Sequence, residues 1–195
     1  MNLLLFIKAF QRLNKYLGRI MKKPIKINRV SFPVNPRNPN WGYRPTGHIE
    51  KIIVHQELGE GNVLAVHNYH ISRESHLKLG IGAPAFAYHY GIEKDGTILH
   101  VNDHTAVTWH TKGQNLHGLG IMLVGNFAGP GNVNGKAPTQ EQLNSLRKLL
   151  NHLVADLDLT KQDVYGHQDF GKPVCPGFVV YDFITDYKKE RFRIT

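Results

Sequence analysis

The chain has 195 residues, 41% of them apolar, enough for one domain with a substantial core but not for two full-sized domains or wholesale disorder. A single cysteine excludes an internal disulfide framework, and no run reaches the roughly 18 apolar residues of a membrane-spanning helix. The net charge of +9 is unevenly placed: ten Lys/Arg and no acid precede Glu50, while fourteen Lys/Arg face fifteen Asp/Glu from there on, so +10 is followed by −1. Basicity spread over a whole domain would suggest nucleic acid. Here it belongs to an N-terminal extension with no recognised reader motif, and no nucleic acid is expected. The twelve histidines are placed the opposite way, all between His48 and His167.

Residues 1–25 read as a basic amphipathic helix. Leu3, Phe6, Ile7, Phe10, Leu13, Leu17, Ile20 and Met21 recur at helical spacing, with Lys8, Arg12, Lys15, Arg19, Lys22 and Lys23 on the other side, until Pro24 stops the pattern. The chain opens with five apolar residues, Leu3 to Ile7, without a preceding cation, which is not the order of a cleavable secretory signal. Residues 26–48 are proline-rich and read as a linker or arm.

The body, residues 49–195, alternates strand and helix signals. Lys51 to His55 is a short buried strand, Leu64 to Leu77 a helix, and Phe86 to Ile92 with Thr97 to Val101 a hairpin around Asp95-Gly96. Gly120 to Val124 is a further strand. Thr139 to Leu157 is a helix opened by a Thr139/Gln142 capping box, with Leu143, Leu146, Leu150, Leu153 and Leu157 as its stripe. Val164 to His167 is the last strand and Val179 to Lys188 the last helix. The predicted fold is a single α/β catalytic domain: a central mixed β-sheet flanked by helices, behind the amphipathic helix.

Three residues form a candidate metal site. His55 and His167 each end a strand, where ligands collect in open α/β sheets. Cys175 follows in the turn-rich segment Lys172-Pro-Val-Cys-Pro-Gly177. Two imidazoles and a thiolate suit zinc, and three protein ligands leave a fourth position open, as in catalytic sites. A surface or core histidine and a buried structural cysteine are the ordinary alternatives.

Longer motifs bear on the choice. Lys51-Ile-Ile-Val-His55, Ala87-Tyr-His-Tyr-Gly-Ile-Glu-Lys-Asp-Gly-Thr97, His110-Thr-Lys-Gly-Gln-Asn115, Gly118-Leu-Gly-Ile-Met-Leu-Val-Gly125, and Gly166-His-Gln-Asp169 through Cys175-Pro-Gly177 follow in order. Together they resemble the N-acetylmuramoyl-L-alanine amidase family, the zinc amidases of the phage lysozyme and peptidoglycan recognition protein type. The resemblance covers residues 49–183. It implies hydrolysis of the amide between N-acetylmuramic acid and L-alanine in bacterial peptidoglycan, with Zn2+ on His55, His167 and Cys175. It also implies a catalytic role for Tyr88, whose alternative is to continue the buried alternation Phe86, Tyr88, Tyr90. His110 matches a histidine lining the substrate groove, for substrate binding or support of the zinc site, and Asn115 joins it as a substrate-binding residue.

Two departures stand out. Pro173 occupies the position of the catalytic lysine in phage-type members, which leaves Lys172, one residue back, as its candidate replacement. Met122 stands where other branches have a glutamate. Glu57 is a substitute base to be tested, and Asp169 reads as a supporting or turn-forming residue. The expected role is a monomeric phage or prophage endolysin, made in the cytoplasm without a cleavable signal and acting on the cell wall after release. Residues 1–25 would meet an anionic membrane or envelope surface, the alternative being a helix docked on the catalytic domain with its basic face solvated. The alternatives are a peptidoglycan-binding module without hydrolysis, and a cysteine peptidase using Cys175.

Overall fold

The computed structural model describes residues 25–128 and 136–190; the predicted N-terminal helix lies outside them up to residue 24. The described elements are β1 (Asn28–Arg29), β2 (Gly42–Tyr43), β3 (Lys51–Gln56), α1 (Val63–Ile71), β4 (Tyr90–Ile92), β5 (Ile98–His100), β6 (Ala106–Val107), β7 (Gly118–Leu123), α2 (Gln140–Asp156), β8 (Val164–Gly166) and α3 (Phe178–Lys189), with three short 3-10 turns. Six strands form one sheet in the order β1-β5-β4-β7-β3-β8, and β2 and β6 pair separately. The β4–β5 pair is antiparallel, whereas β7 runs parallel to β3 and β4, and β8 parallel to β3. The mixed α/β sheet is as predicted.

Period-two alternation sorts the side chains. Ile52, Val54, Tyr90, Ile92, Leu119, Ile121, Leu123 and Val164 share the main core with Leu146, Leu149, Leu150 and Leu153 of α2 and Val180 and Ile184 of α3. The other face carries a smaller cluster in which Met122 and Val124 meet Val63 and Val66 of α1 and Phe86. Helix α2 starts where its capping box predicts. Thr139 Oγ1 accepts from Gln142 N at 3.1 Å, and Gln142 Oε1 accepts from Thr139 N at 3.1 Å. The Thr139 hydroxyl also donates to Lys94 O at 2.8 Å, which ties the helix start to the β4–β5 hairpin.

Two elements are shorter than the periodicity suggests. Helix α1 stops at Ile71 rather than Leu77: the Arg37 guanidinium donates to the Ile71 carbonyl at 2.6 Å, and Ser75 Oγ accepts from Leu77 N at 3.3 Å, so local side-chain bonds replace the next turn. The strand expected from Phe86 begins only at Tyr90. Asn102 Nδ2 takes the Phe86 and Tyr88 carbonyls at 2.6 and 2.7 Å, so a side chain occupies the acceptors a ladder would use.

The proline-rich segment is extended and bound along the body. Strand β1 pairs with β5 and β2 with β6. Asn35, fully buried, donates to the carbonyls of Ile81 and Ala83 at 2.8 and 2.9 Å.

Candidate metal centre

Strands β3 and β8 are parallel neighbours, so their carboxyl ends lie together. His55 is near the end of β3 and His167 directly follows β8. Their rings sit 4.3 Å apart between centroids. Cys175 is brought over the same strand ends by the loop before α3, and its Sγ lies 3.9 Å from His55 Nδ1. One donor atom from each of the three residues falls within 4.8 Å of the others. Zinc bonds of about 2.0–2.1 Å to nitrogen and about 2.3 Å to sulfur would set N and S roughly 3.5 Å apart across a tetrahedral angle. The donor set and its spacing therefore fit a zinc ion.

Protonation supports the same fit. Burial, with repulsion from His110 and His167, holds His55 well below the usual imidazole range. Burial and the Lys172 charge bring His167 down to about 4. Both rings are neutral at pH 7 and keep a lone pair for a metal. Burial pushes the Cys175 thiol up to about 12, against the Gln56 N–H and Lys172, which favour the thiolate. A free nucleophilic thiolate is disfavoured there, and a bound cation would reverse the balance.

His110 fixes which nitrogen of His55 faces the cysteine. Its Nε2–H donates to Gly118 O at 3.2 Å, which leaves Nδ1 as an acceptor. That Nδ1 lies 3.2 Å from His55 Nε2 and 3.0 Å from Thr111 Oγ1. The His55 proton thus sits on Nε2, and the Nδ1 lone pair faces Cys175. Burial lowers His110 to about 3, so it remains the neutral acceptor. The ring lies directly on β7, where a Cβ on Gly120 would come within 2.7 Å of His110 Cγ; a strand glycine is required by this close approach.

The remaining candidates divide. The Tyr88 ring is 4.9 Å from His55, and burial raises its hydroxyl pKa, so it stays protonated. Lys172 is exposed on the cysteine loop, with its charge felt at His167, Cys175 and His76. Asn115 Oδ1 accepts from Thr111 N at 2.7 Å and closes the turn after His110. Asp169 accepts from Gly166 N and from the Tyr181 hydroxyl, at 3.0 and 2.6 Å. Both Glu57 oxygens are engaged, by Gly61 N at 3.0 Å and Gly125 N at 3.1 Å, an arrangement that braces loops. Met122, fully buried, is the cross-strand partner of His55.

Sequence reasoning passed over two residues. Arg44, buried in the arm, donates to the carbonyls of His104, Asn115 and Leu116, and so holds the segment after His110. Gln56 bonds at once to Phe127 and Val174. Its only sequence signal was a polar residue continuing the buried alternation Ile52, Val54.

The chain is also similar to known proteins. The family model described as N-acetylmuramoyl-L-alanine amidase matches residues 45–178. Relatives include the endolysin of Enterobacteria phage T3, 35% identical over 91 residues, and that of Escherichia phage T7, 34% identical over the same length. Each match covers 47% of this chain and 58% of the relative, so the chain spans little more than half of those proteins. Among solved structures, the N-acetylmuramoyl-L-alanine amidase LysC from Clostridium intestinale URNW superimposes with a TM-score of 0.64 at 24% identity, covering 86% of this chain and all of the other. Drosophila peptidoglycan recognition protein SD gives 0.67 at 18% identity, covering 87% of this chain and 100% of its own. These two likenesses bear on the fold. The family match takes in His55, Tyr88, His110, His167 and Cys175, and the chain belongs to the N-acetylmuramoyl-L-alanine amidase family.

Proposed function

We propose that this chain hydrolyses the amide between the lactyl group of N-acetylmuramic acid and L-alanine in bacterial peptidoglycan, with zinc held by His55, His167 and Cys175. The observation that carries the reading is the convergence of these three donors within 4.8 Å at the carboxyl ends of two parallel strands. Zinc held there supplies Lewis acidity, the property that activates water and a carbonyl for hydrolysis. The neutral His55 and His167 rings offer lone pairs without a competing proton. Tyr88, protonated and beside His55, is placed to donate a hydrogen bond to the carbonyl oxygen as negative charge develops there. The Lys172 ammonium adds positive charge on the same side, in place of the lysine absent at Pro173. His110 forms the wall beside His55, and Asn115, which closes the turn after His110, joins it as a substrate-binding residue. Water adds to the carbonyl carbon, the C–N bond breaks, and the amine leaves with a proton, giving a lactyl carboxylate and a free L-alanine amino terminus.

The endolysin relatives support a phage or prophage lytic role, with residues 49–195 as the catalytic unit. On this reading residues 1–25 bind an anionic envelope surface through their basic face. Among the described residues no helix is long and apolar enough to cross a membrane. The test is to load the protein with zinc, incubate it with purified sacculi, and identify the products by mass. New L-alanine amino termini are expected, with one zinc per chain. Retention on sacculi without products would leave a binding module. For the helix, deletion of residues 1–25 should abolish binding to anionic vesicles while leaving product release from sacculi intact; unchanged vesicle binding would end the surface-binding idea.

A further inference from the structure

The last two residues of β3 use opposite faces of the sheet. His55 turns towards Tyr88 and His110, while Gln56 turns the other way, towards the start of α3. The Gln56 side chain is buried, at 3% exposure, and spends both ends of its amide. Its Oε1 accepts from the backbone N–H of Phe127, just beyond β7, and its Nε2 donates to the carbonyl of Val174, the residue before Cys175. Its own backbone N–H points at Cys175 Sγ, 3.5 Å away. A single residue thus joins two parallel strand ends to the loop that supplies the sulfur.

That loop has few other ties at its centre. Cys175 N donates to Lys172 O at 2.9 Å, and Gln168 N donates to Cys175 O at 2.6 Å, both to partners on the His167 side. Val174 itself is exposed and contributes no core packing. The Gln56 amide is therefore the side-chain bond that draws the loop towards β3 and His55, beside the backbone N–H of the same residue at Cys175 Sγ and the packing of Gly177 on Phe127. A ligand on a loop is only as well placed as the groups that hold the loop.

We propose that Gln56 is a positioning residue for the metal centre: its side-chain amide sets the approach of Cys175 to His55, so that the sulfur closes a site otherwise made of two strand-borne histidines. The inference rests on the zinc reading of the site and deepens it by naming what holds the third ligand. It predicts that loss of the amide lowers metal affinity through the sulfur alone.

Zinc affinity of the full chain is measured by competition with a chromophoric chelator, in four proteins: unsubstituted, Gln56→Met, Cys175→Ala and the double variant. Gln56→Met should weaken zinc about 10- to 100-fold, the usual effect of removing a residue that supports a ligand. In the Cys175→Ala background the same substitution should change affinity by less than about twofold, because its effect has no sulfur to act through. With cobalt in place of zinc, Gln56→Met should reduce the sulfur-to-cobalt charge-transfer absorption. Gln56→Glu provides a second variant that keeps the acceptor for Phe127 N–H and loses the donor to Val174; it should reproduce the affinity loss if Gln56→Met does not fold. Equal losses with and without Cys175, or an unchanged cobalt spectrum, would overturn the proposal and leave Gln56 a general brace. Absence of zinc binding by the unsubstituted protein would instead remove the metal-centre reading on which it stands.

Discussion

Two faces of one sheet carry opposite chemistry here, and the same strands build both. Towards α2 and α3, β3 presents Ile52 and Val54, β7 presents Leu119, Ile121 and Leu123, and nearly everything they touch is aliphatic. Towards α1, the same two strands present His55, Gly118, Gly120 and Met122: the ring neighbours of His55 are imidazoles and a tyrosine, while Met122 packs into a small apolar cluster with Val63, Val66 and Phe86. The first face gains stability by taking apolar area out of water. The second holds buried histidines neutral, which costs stability whenever they would otherwise take up a proton. Stability and chemistry are thus largely separated by a single period-two alternation; Gln56 is where they meet, reaching from the aliphatic side to the sulfur-bearing loop, and substitutions on either face can break the separation.

The largest effect belongs to the histidine face. His55→Ala or Cys175→Ala removes a metal donor, and sacculus hydrolysis should fall by about a thousandfold or more, on the scale of the several kcal/mol a metal contributes to a hydrolytic transition state. Thermal unfolding of the metal-free protein should change little, since no aliphatic core is touched. Comparable activity in either variant would remove the metal centre. Leu150→Ala is the mirror experiment. This fully buried side chain on α2 should cost about 2–5 kcal/mol in urea unfolding, while zinc stoichiometry and turnover per folded molecule persist. If turnover fell with stability held, the faces would be coupled.

Gly120→Ala tests the boundary between them. The added Cβ would meet His110 Cγ at 2.7 Å, with the sheet backbone behind it, so the ring must leave its bed on β7. A loss of about 1–3 kcal/mol is expected, as for overpacking elsewhere. Zinc affinity should fall as well, because His55 Nε2 loses its acceptor. An affinity unchanged in Gly120→Ala would show that the His55 orientation does not depend on His110.

The sequence made the aliphatic face and the strand-end histidines legible because both rest on local pattern. The Thr139/Gln142 box, the Asp95-Gly96 turn and the Leu stripe of α2 act within a few residues of themselves: the box and the turn stand where the sequence placed them, and of the stripe Leu146, Leu150 and Leu153 lie in the core with Leu157 at its edge, while Leu149 and Val154 are buried in place of Leu143. His55 and His167 were legible as the polar ends of apolar runs. Their convergence with Cys175 was legible only as one candidate beside ordinary alternatives: it depends on β8 pairing with β3 and on a loop crossing back over both, and the family motifs were what favoured it. Gln56 and Arg44 lay outside reach for the same reason. Gln56 meets Val174 118 positions away, and Arg44 meets Asn115 71 positions away. No local propensity marks a glutamine whose partners are backbone atoms on two distant loops.

The smallest effect concerns protons rather than side chains. His70, on α1, lies on the histidine face, accepts from Ala87 N at 3.1 Å through Nδ1, and is lowered to about 3, first by burial and then by His76 and His67. An imidazole depressed in the folded state takes its proton first in the unfolded chain. The stability it supports is therefore present above about 6.5 and is lost progressively as pH falls towards about 3. Its share of the slope is at most about 1.4 kcal/mol per pH unit, the energy of one pKa unit. Urea unfolding of metal-free protein between pH 7 and 5 should show falling stability, with a shallower fall in His70→Gln. The aliphatic face contributes no such slope, so Leu150→Ala should lower the whole curve without changing its tilt. Parallel curves for His70→Gln and the unsubstituted protein would mean that His70 takes up its proton as readily in the folded chain as in the unfolded one, and that the histidine face is better hydrated than its packing indicates.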